Sequence, residues 1–180
     1  MLNKVKIAVL VSGGGTNLQA LIDAQNRGDI QNGRISCVIS SNPEAYALER
    51  AKLNGIKTEV IRVKDYAGFD EYDEAITKLL QSHNTDLIVL AGFMTILGSK
   101  VISAFTNKII NIHPSLIPAF CGEGFYGLKV HEFALKRGVK VSGATAHFVN
   151  EECDGGPIII QKPVEVFDDD TPQTLQKRIM

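Results

Sequence analysis

The sequence lacks a long apolar run, and it has few cysteines. The apolar stretch at the N-terminus covers about eight positions before it meets a glycine turn, whereas a membrane-spanning helix needs about 20. The three cysteines, Cys37, Cys121 and Cys153, are far apart and form no Cys-x-x-Cys pair. This pattern argues against a disulfide framework, a thiolate zinc site and a membrane anchor, and it predicts a protein of the reducing cytoplasm with no bound metal.

An excess of basic residues is also absent. The formal net charge is −1 and the isoelectric point is near 6.4, so a nucleic-acid partner is disfavoured and small polar substrates are favoured. The 180 residues are 44% hydrophobic and 22% charged, which is an ordinary globular composition. We therefore expect a single domain over residues 1–180.

Apolar segments of strand length alternate with segments of helical pattern. The strand-like segments are rich in valine and isoleucine and do not alternate with polar residues, which is typical of strands covered on both faces. They cover residues 5–12, 34–41, 57–63, 86–92 and 108–113. Helix-like segments lie between them, at 17–28, 45–55 and 70–83. This order predicts an α/β fold with a largely parallel sheet.

The pattern changes after residue 120. A helix closed by Gly138 is followed by two long strands, 142–150 and 157–166, whose connection is too short for a crossover helix. These strands are therefore predicted to form an antiparallel pair. Thr171 as the N-cap and Pro172 as the first helical residue predict a last helix.

The turn SGGGTNLQ, residues 12–19, joins the first strand to the first helix. Its glycines let the backbone approach an anion, and Thr16 and Asn17 are candidates to cap the helix. It is not a dinucleotide fingerprint, because Leu18 replaces the third glycine. A phosphate site and a tight turn without ligand remain equally good interpretations of these residues.

The segment NIHPSLIP ends the fifth predicted strand. Ligands bind at this end of parallel strands, and alternation places Asn111 and His113 on the same side. Pro114 and Pro118 stiffen the turn that follows. We favour a functional role for His113 over a buried histidine bonded to a carbonyl. The other histidines, His83, His131 and His147, are interpreted as structural or solvated.

Two further segments offer chemistry. In EECDGGP, Asp154 either belongs to a plain hairpin turn or holds an imidazole in its charged form. In LAGFMTIL, the apolar side chains of Phe93, Met94, Ile96 and Leu97 either clasp a flat ring or pack in the core.

Taken in order, the segments VLVSGGGTNLQALI, LAGFMTIL, NIHPSLIP and DGGPIII resemble the phosphoribosylglycinamide formyltransferase family over essentially the whole chain. The resemblance implies a formyltransferase-type doubly wound, mostly parallel sheet flanked by helices. It also implies formyl transfer from 10-formyltetrahydrofolate, a co-substrate, to the amine of glycinamide ribonucleotide in purine biosynthesis.

The resemblance also implies the roles of individual residues. Asn111, His113 and Asp154 correspond to the catalytic group, in which Asn111 and a protonated His113 donate to the developing oxyanion and Asp154 keeps His113 cationic. The remaining residues correspond to two binding segments. The phosphate loop corresponds to Gly15, Thr16 and Asn17, and the folate segment to Met94, Thr95, Ile96 and Leu97.

The sequence departs from the family pattern in three places. Thr95 and Phe69 stand where some members carry arginine, and the chain ends at Met180, so it is expected to lack the family's C-terminal extension and a glutamate that contacts the glycinamide. The expected partners are the two small molecules, with no nucleic acid and no membrane, and a homodimer stays open.

Two alternatives are kept: a formyltetrahydrofolate hydrolase, and a truncated or degenerate folate- or phosphate-binding protein with little turnover. A methionyl-tRNA formyltransferase is disfavoured, because it requires a second, tRNA-binding domain and a basic surface that this sequence is not expected to provide.

Overall fold

A computed structural model describes residues 4–180. The chain divides into two compact units, of which the first ends at Ile109 and the second runs Ile110–Met180. Each unit is described separately.

The first unit is built on four parallel strands. They are β1 (Val5–Val11), β2 (Gly33–Ser40), β3 (Lys57–Val60) and β4 (Leu87–Leu90). β1 pairs with β2 on one side and with β4 on the other, and β2 pairs with β3. Because β1 is flanked on both sides, residues 8–11 are completely buried, as their uninterrupted apolar sequence predicts.

Helices connect these strands. They are α1 (Thr16–Arg27), α2 (Tyr46–Leu53), α3 (Phe69–Ser82) and α4 (Ser99–Ala104). α1 ends because Gly28 adopts φ 83°, a left-handed conformation that glycine accepts without a steric penalty. Leu18 and Ile22, one turn apart on α1, are fully buried and join a core with β1 and α2.

The second unit contains three antiparallel strands and two helices. In chain order these are β5 (Ile109–His113), α5 (Leu128–Arg137), β6 (Val141–Phe148), β7 (Ile158–Glu165) and α6 (Pro172–Ile179). β6 pairs with β5 and with β7. Ala134 of α5 and Leu175 of α6 are both fully buried, and both belong to the core cluster of this unit.

The fold prediction is confirmed in its class, its parallel strands and its antiparallel pair. Thr171 is the N-cap of α6, as its sequence predicts, and it also forms a capping box with Thr174. Two elements differ from the prediction. β3 stops at Val60 and a short 3-10 helix, Val63–Asp65, replaces its expected end, and α4 was not predicted. Among residues 4–180, no helix has the length and apolarity needed to cross a membrane.

Candidate active site

Asn111, His113 and Asp154 meet in the second unit. Nδ1 of His113 lies 3.3 Å from Oδ2 of Asp154, and Nδ2 of Asn111 donates to Oδ1 of the same carboxylate at 3.3 Å. Only 4% of the His113 side chain and 9% of the Asp154 side chain are exposed. The sequence left open whether Asp154 meets His113, and the structure brings Asn111, His113 and Asp154 into contact, with Asn111 half-buried.

The turn after β6 brings Asp154 to this position. Asp154 has φ 55°, a left-handed conformation that aspartate tolerates better than most residues. A Cβ atom on Gly156 would overlap the carbonyl oxygen of Phe148, so only glycine lets the turn fold back this closely on β6. The amide of Gly122 donates to Oδ2 of Asp154 at 3.0 Å and fixes the carboxylate from a second loop.

His147 belongs to the same group, although the sequence interpretation assigned it a structural role. It lies opposite Asn111 in the β5–β6 ladder, and its Nε2 is 3.2 Å from Nδ2 of Asn111. Its Nδ1 lies 2.9 Å from the carbonyl oxygen of Phe148, so Nδ1 carries a proton and donates. In the neutral ring Nε2 then accepts from Asn111 and orients the amide toward Asp154, whereas in the protonated ring Nε2 donates toward Oδ1 of Asp154, 3.5 Å away.

Both ring nitrogens of His113 face acceptors. Nδ1 faces Asp154, and Nε2 lies 2.9 Å from the carbonyl oxygen of Phe120. A neutral imidazole carries one N–H and satisfies one of these acceptors, whereas an imidazolium satisfies both. The two acceptors therefore match the two N–H groups of an imidazolium.

Burial and nearby charges shift the pKa values of the groups around His113, namely Asp154 and His131. Burial alone would raise the pKa of Asp154, but hydrogen bonds from His147 and the Gly122 amide, together with the charges of His113 and His147, lower it. Burial lowers the pKa of His131, and the charge of His113 lowers it further. His131 is fully buried, and neither ring nitrogen has a hydrogen-bond partner within residues 4–180.

Two thiols flank the carboxylate in sequence or in space. Cys153 precedes Asp154, and Cys121 precedes Gly122. Burial raises the pKa of both thiols, and the charge of Asp154 raises it further. They therefore stay protonated near neutral pH, which argues against thiolate nucleophiles here.

The glycine turn of the first unit has two distinct parts. Gly13 and Gly14 are exposed, and no atom would lie within 4 Å of a Cβ placed on either. Gly15 is the N-cap of α1 with φ 73°, and its Cβ would lie 2.7 Å from Cβ of Ala47. No side chain caps α1, so the prediction that Thr16 and Asn17 cap this helix is wrong: both lie within its first turn.

The predicted folate segment presents two exposed apolar side chains, Met94 and Ile96, which are 56% and 75% exposed. Thr95 is half-buried and Leu97 is buried. The amide of Met94 donates to Oγ of Ser12 at 2.9 Å, which ties this segment to the end of β1. Within residues 4–180, no three acidic, histidine or cysteine side chains come close enough together to hold a metal ion.

The chain is similar to known proteins over nearly its whole length. The formyl transferase family matches residues 5–180. The chain is 47% identical over 173 residues to phosphoribosylglycinamide formyltransferase of Haemophilus influenzae, covering 96% of this chain and 79% of that protein. It is 43% identical over 176 residues to trifunctional purine biosynthetic protein adenosine-3 of Homo sapiens, covering 98% of this chain and 17% of that much longer protein.

A solved structure shows the same fold. Glycinamide ribonucleotide transformylase 1 from Symbiobacterium toebii superimposes with a TM-score of 0.93 at 42% identity, over 99% of this chain and 82% of that one. The family match covers nearly the whole chain, and the matched range includes Asn111, His113 and Asp154. The chain therefore belongs to the formyl transferase family.

Proposed function

We propose that this chain transfers the formyl group of 10-formyltetrahydrofolate to the amine of glycinamide ribonucleotide in purine biosynthesis. The observation that carries the proposal is the convergence of Asn111 and His113 on the buried carboxylate of Asp154. The relatives from Haemophilus influenzae and Symbiobacterium toebii have names that refer to formyl or transformyl transfer, which favours transfer over the hydrolase interpretation. All three cysteines are free thiols, which supports a reducing compartment such as the cytoplasm.

His113 and Asn111 would stabilise the charge that develops during transfer. When the amine attacks the formyl carbon, the formyl oxygen becomes an oxyanion that needs hydrogen-bond donors already in place. An imidazolium at His113 can supply one, if Nε2–H exchanges the Phe120 carbonyl for the formyl oxygen. The amide of Asn111 can supply another by exchanging one of its two long contacts, to His147 or to Asp154.

Asp154 would act on His113 and on the proton that leaves the amine. Its carboxylate lies against Nδ1 of His113, where its negative charge stabilises the imidazolium. Its lowered pKa keeps it ionised at neutral pH. An ionised carboxylate is also a base that can take up the amine proton, directly or through one water, and the proton then passes to N10 of the folate as the bond from N10 to the formyl carbon breaks and tetrahydrofolate leaves.

The glycine turn is the proposed site of the ribonucleotide phosphate, at Gly15, Thr16 and Asn17. The amides at the start of α1 have no side-chain cap, and the first amides of a helix attract anions. Gly13 and Gly14 leave open space beside them. The exposed side chains of Met94 and Ile96, with the neighbouring residues Thr95 and Leu97, are the proposed contact for the pterin ring.

The test is a transfer assay with purified protein, 10-formyltetrahydrofolate and glycinamide ribonucleotide, in which tetrahydrofolate formation is followed over time. Wild type should form tetrahydrofolate only when glycinamide ribonucleotide is present. His113→Ala should lose at least about a hundredfold in kcat and keep its folate affinity, because the lost contact exists only in the transition state. His83→Ala is the matched control, since His83 lies at the end of α3 and contacts Glu59.

The outcomes separate the alternatives. Formation of tetrahydrofolate and formate when no ribonucleotide is added would indicate a hydrolase. Binding of both ligands without turnover would indicate a binding protein. A His113→Ala variant with unchanged kcat and weaker folate binding would make His113 a binding residue instead.

A further inference from the structure

The glycine turn before α1 is held in place by α2. Nε of Arg50 donates to the carbonyl oxygen of Gly14 at 2.9 Å. The amide of Ala47 donates to the carbonyl oxygen of Gly13 at 3.1 Å. Two consecutive carbonyls of the turn therefore point toward α2. In a trans peptide the carbonyl and the next N–H point in opposite directions, so the amides of Gly14 and Gly15 point away from α2.

The amides on this far side of the turn are arranged to meet an anion. Gly15 is left-handed, with φ 73° and ψ 33°, and Thr16 after it is the first residue of α1. A left-handed residue beside a right-handed one turns successive N–H groups toward a common point, an arrangement that binds anions. The amides of Gly14 and Gly15 find no main-chain acceptor within residues 4–180. They are therefore available to a phosphate.

Three contacts fix the guanidinium of Arg50. Besides the bond to Gly14, its Nη1 donates to Oε1 of Gln19 at 3.1 Å, and the group lies over the ring of Tyr46, 5.0 Å from the ring centre. Gln19 is itself oriented, because its Nε2 donates to Asp23 at 2.9 Å. Both acceptors of Arg50 are uncharged, so these bonds leave its positive charge unneutralised. A cation that is already ordered costs little further entropy when a ligand binds.

We infer that Arg50 is a positioning residue for the ribonucleotide phosphate: it holds the Gly14 carbonyl away from the phosphate, aims the Gly15 amide at it, and adds positive charge to the turn. The inference rests on the proposed function, since it assumes that the phosphate lies at the glycine turn. Without the guanidinium, the peptide between Gly14 and Gly15 can rotate and present its carbonyl oxygen, which repels a phosphate. Arg50 therefore acts on substrate binding through the turn.

The experiment measures the affinities of three ligands by isothermal titration: glycinamide ribonucleotide, glycinamide riboside, which lacks the phosphate, and tetrahydrofolate. Wild type should bind the ribonucleotide more tightly than the riboside. Arg50→Ala should weaken the ribonucleotide about tenfold to a hundredfold, because hydrogen bonds that involve a charged group are the stronger ones. The riboside and tetrahydrofolate should be unaffected. In the transfer assay, KM for the ribonucleotide should rise by a larger factor than kcat falls.

Two conservative variants separate the charge of Arg50 from its hydrogen bonds. Arg50→Lys keeps the charge but lacks the fork of donors that reaches both Gly14 and Gln19, and Arg50→Gln keeps a donor without the charge. Each should recover part of the ribonucleotide affinity that Arg50→Ala loses. Wild-type affinity in Arg50→Lys would overturn the positioning role, since charge alone would then be sufficient.

Arg27→Ala is the matched control. Arg27 lies at the opposite end of α1, and its charge is paired with Asp29. Its affinities should equal those of wild type. If Arg50→Ala weakens all three ligands by the same factor, or none of them, the inference fails and the proposed function stands. If wild type binds the ribonucleotide no more tightly than the riboside, the phosphate site at the turn fails with it. If wild type binds none of the ligands, the proposed function fails as well.

Discussion

Nδ1 of His113 and Oδ2 of Asp154 are 3.3 Å apart, and almost no solvent reaches either group. A charge pair in such surroundings depends on both partners, because removal of one leaves the other buried without compensation. Asp154→Asn should therefore lower kcat by at least about a hundredfold, with less effect on the affinity for either substrate.

The measurement is steady-state kinetics of Asp154→Asn beside Asp168→Asn, which replaces an exposed aspartate that pairs with Lys140. Asp168→Asn should behave like wild type. Full turnover in Asp154→Asn would show that the carboxylate has no part in the reaction.

Asp154 should also make stability depend on pH. Its pKa in the folded protein is lower than in the unfolded chain, so the unfolded chain binds the proton more readily. The stabilisation is complete above the unfolded pKa, about 3.9, and is lost as the pH falls through the folded pKa. The difference in free energy of unfolding between wild type and Asp154→Asn should therefore shrink from neutral pH toward pH about 3. Urea titrations at several pH values measure it, and a constant difference would contradict the assignment.

His147 should act as a positioning residue through Asn111 and Asp154. His147→Phe removes both ring nitrogens and should lower kcat while KM changes little, because no contact of His147 with a substrate is proposed. His147→Gln keeps a polar group at the same place and should recover part of the loss. Equal loss in both variants, accompanied by equal loss of thermal stability, would indicate a purely structural role.

Packing against Ala47, as well as any bound ligand, restricts position 15 to glycine. Gly15→Ala places a Cβ 2.7 Å from Cβ of Ala47 at a left-handed φ, so the free energy of unfolding should fall by about 1–3 kcal/mol. Gly13→Ala is the control in the same turn, since its Cβ meets nothing within 4 Å. Thermal unfolding compares them, and equal melting temperatures would contradict the close approach. Phosphate affinity is consequently better tested at Gly13 than at Gly15.

Asp73 should be the most sensitive carboxylate of α3. It is 2% exposed and accepts from the amides of Gly98 and Lys100, at 3.1 and 2.8 Å. Asp73→Ala leaves both amides without their acceptor and should cost about 1–3 kcal/mol for each amide that stays dry. Asp70→Ala on the same helix removes an exposed carboxylate, 88% accessible, and should cost far less. Chemical denaturation of the two variants measures the difference.

Helices and strands could be predicted from the sequence where neighbouring residues alone determine them. β1, β2 and β4 were predictable because their valine and isoleucine runs are buried on both faces. α6 was predictable because Thr171 and Pro172 mark its start. α4 was missed because it has only six residues, and the group that binds its first amides, Asp73, is 25 residues before Gly98. Nothing in the sequence around α4 reveals that contact.

The candidate site residues were predictable under the same condition, that neighbouring residues alone determine their position. Asn111 and His113 could be identified from one strand, since alternation alone puts them on one side. His147 could not, because its role depends on the β5–β6 register that sets it opposite Asn111. The contact between Asp154 and His113 likewise depends on how far the turn after β6 folds back. Gly156 permits this close approach, but a glycine in the sequence does not predict it.

The hydrogen bond from Gly122 to Asp154 has a consequence for how this protein can vary. The donor is a main-chain amide, so no side-chain replacement in the loop removes it unless the backbone moves or proline takes position 122. Residues such as Glu123 and Tyr126, both exposed, can therefore be exchanged without removing this hydrogen bond. For an engineer, positions 123 and 126 are places where new side chains can be introduced while the main chain continues to hold Asp154.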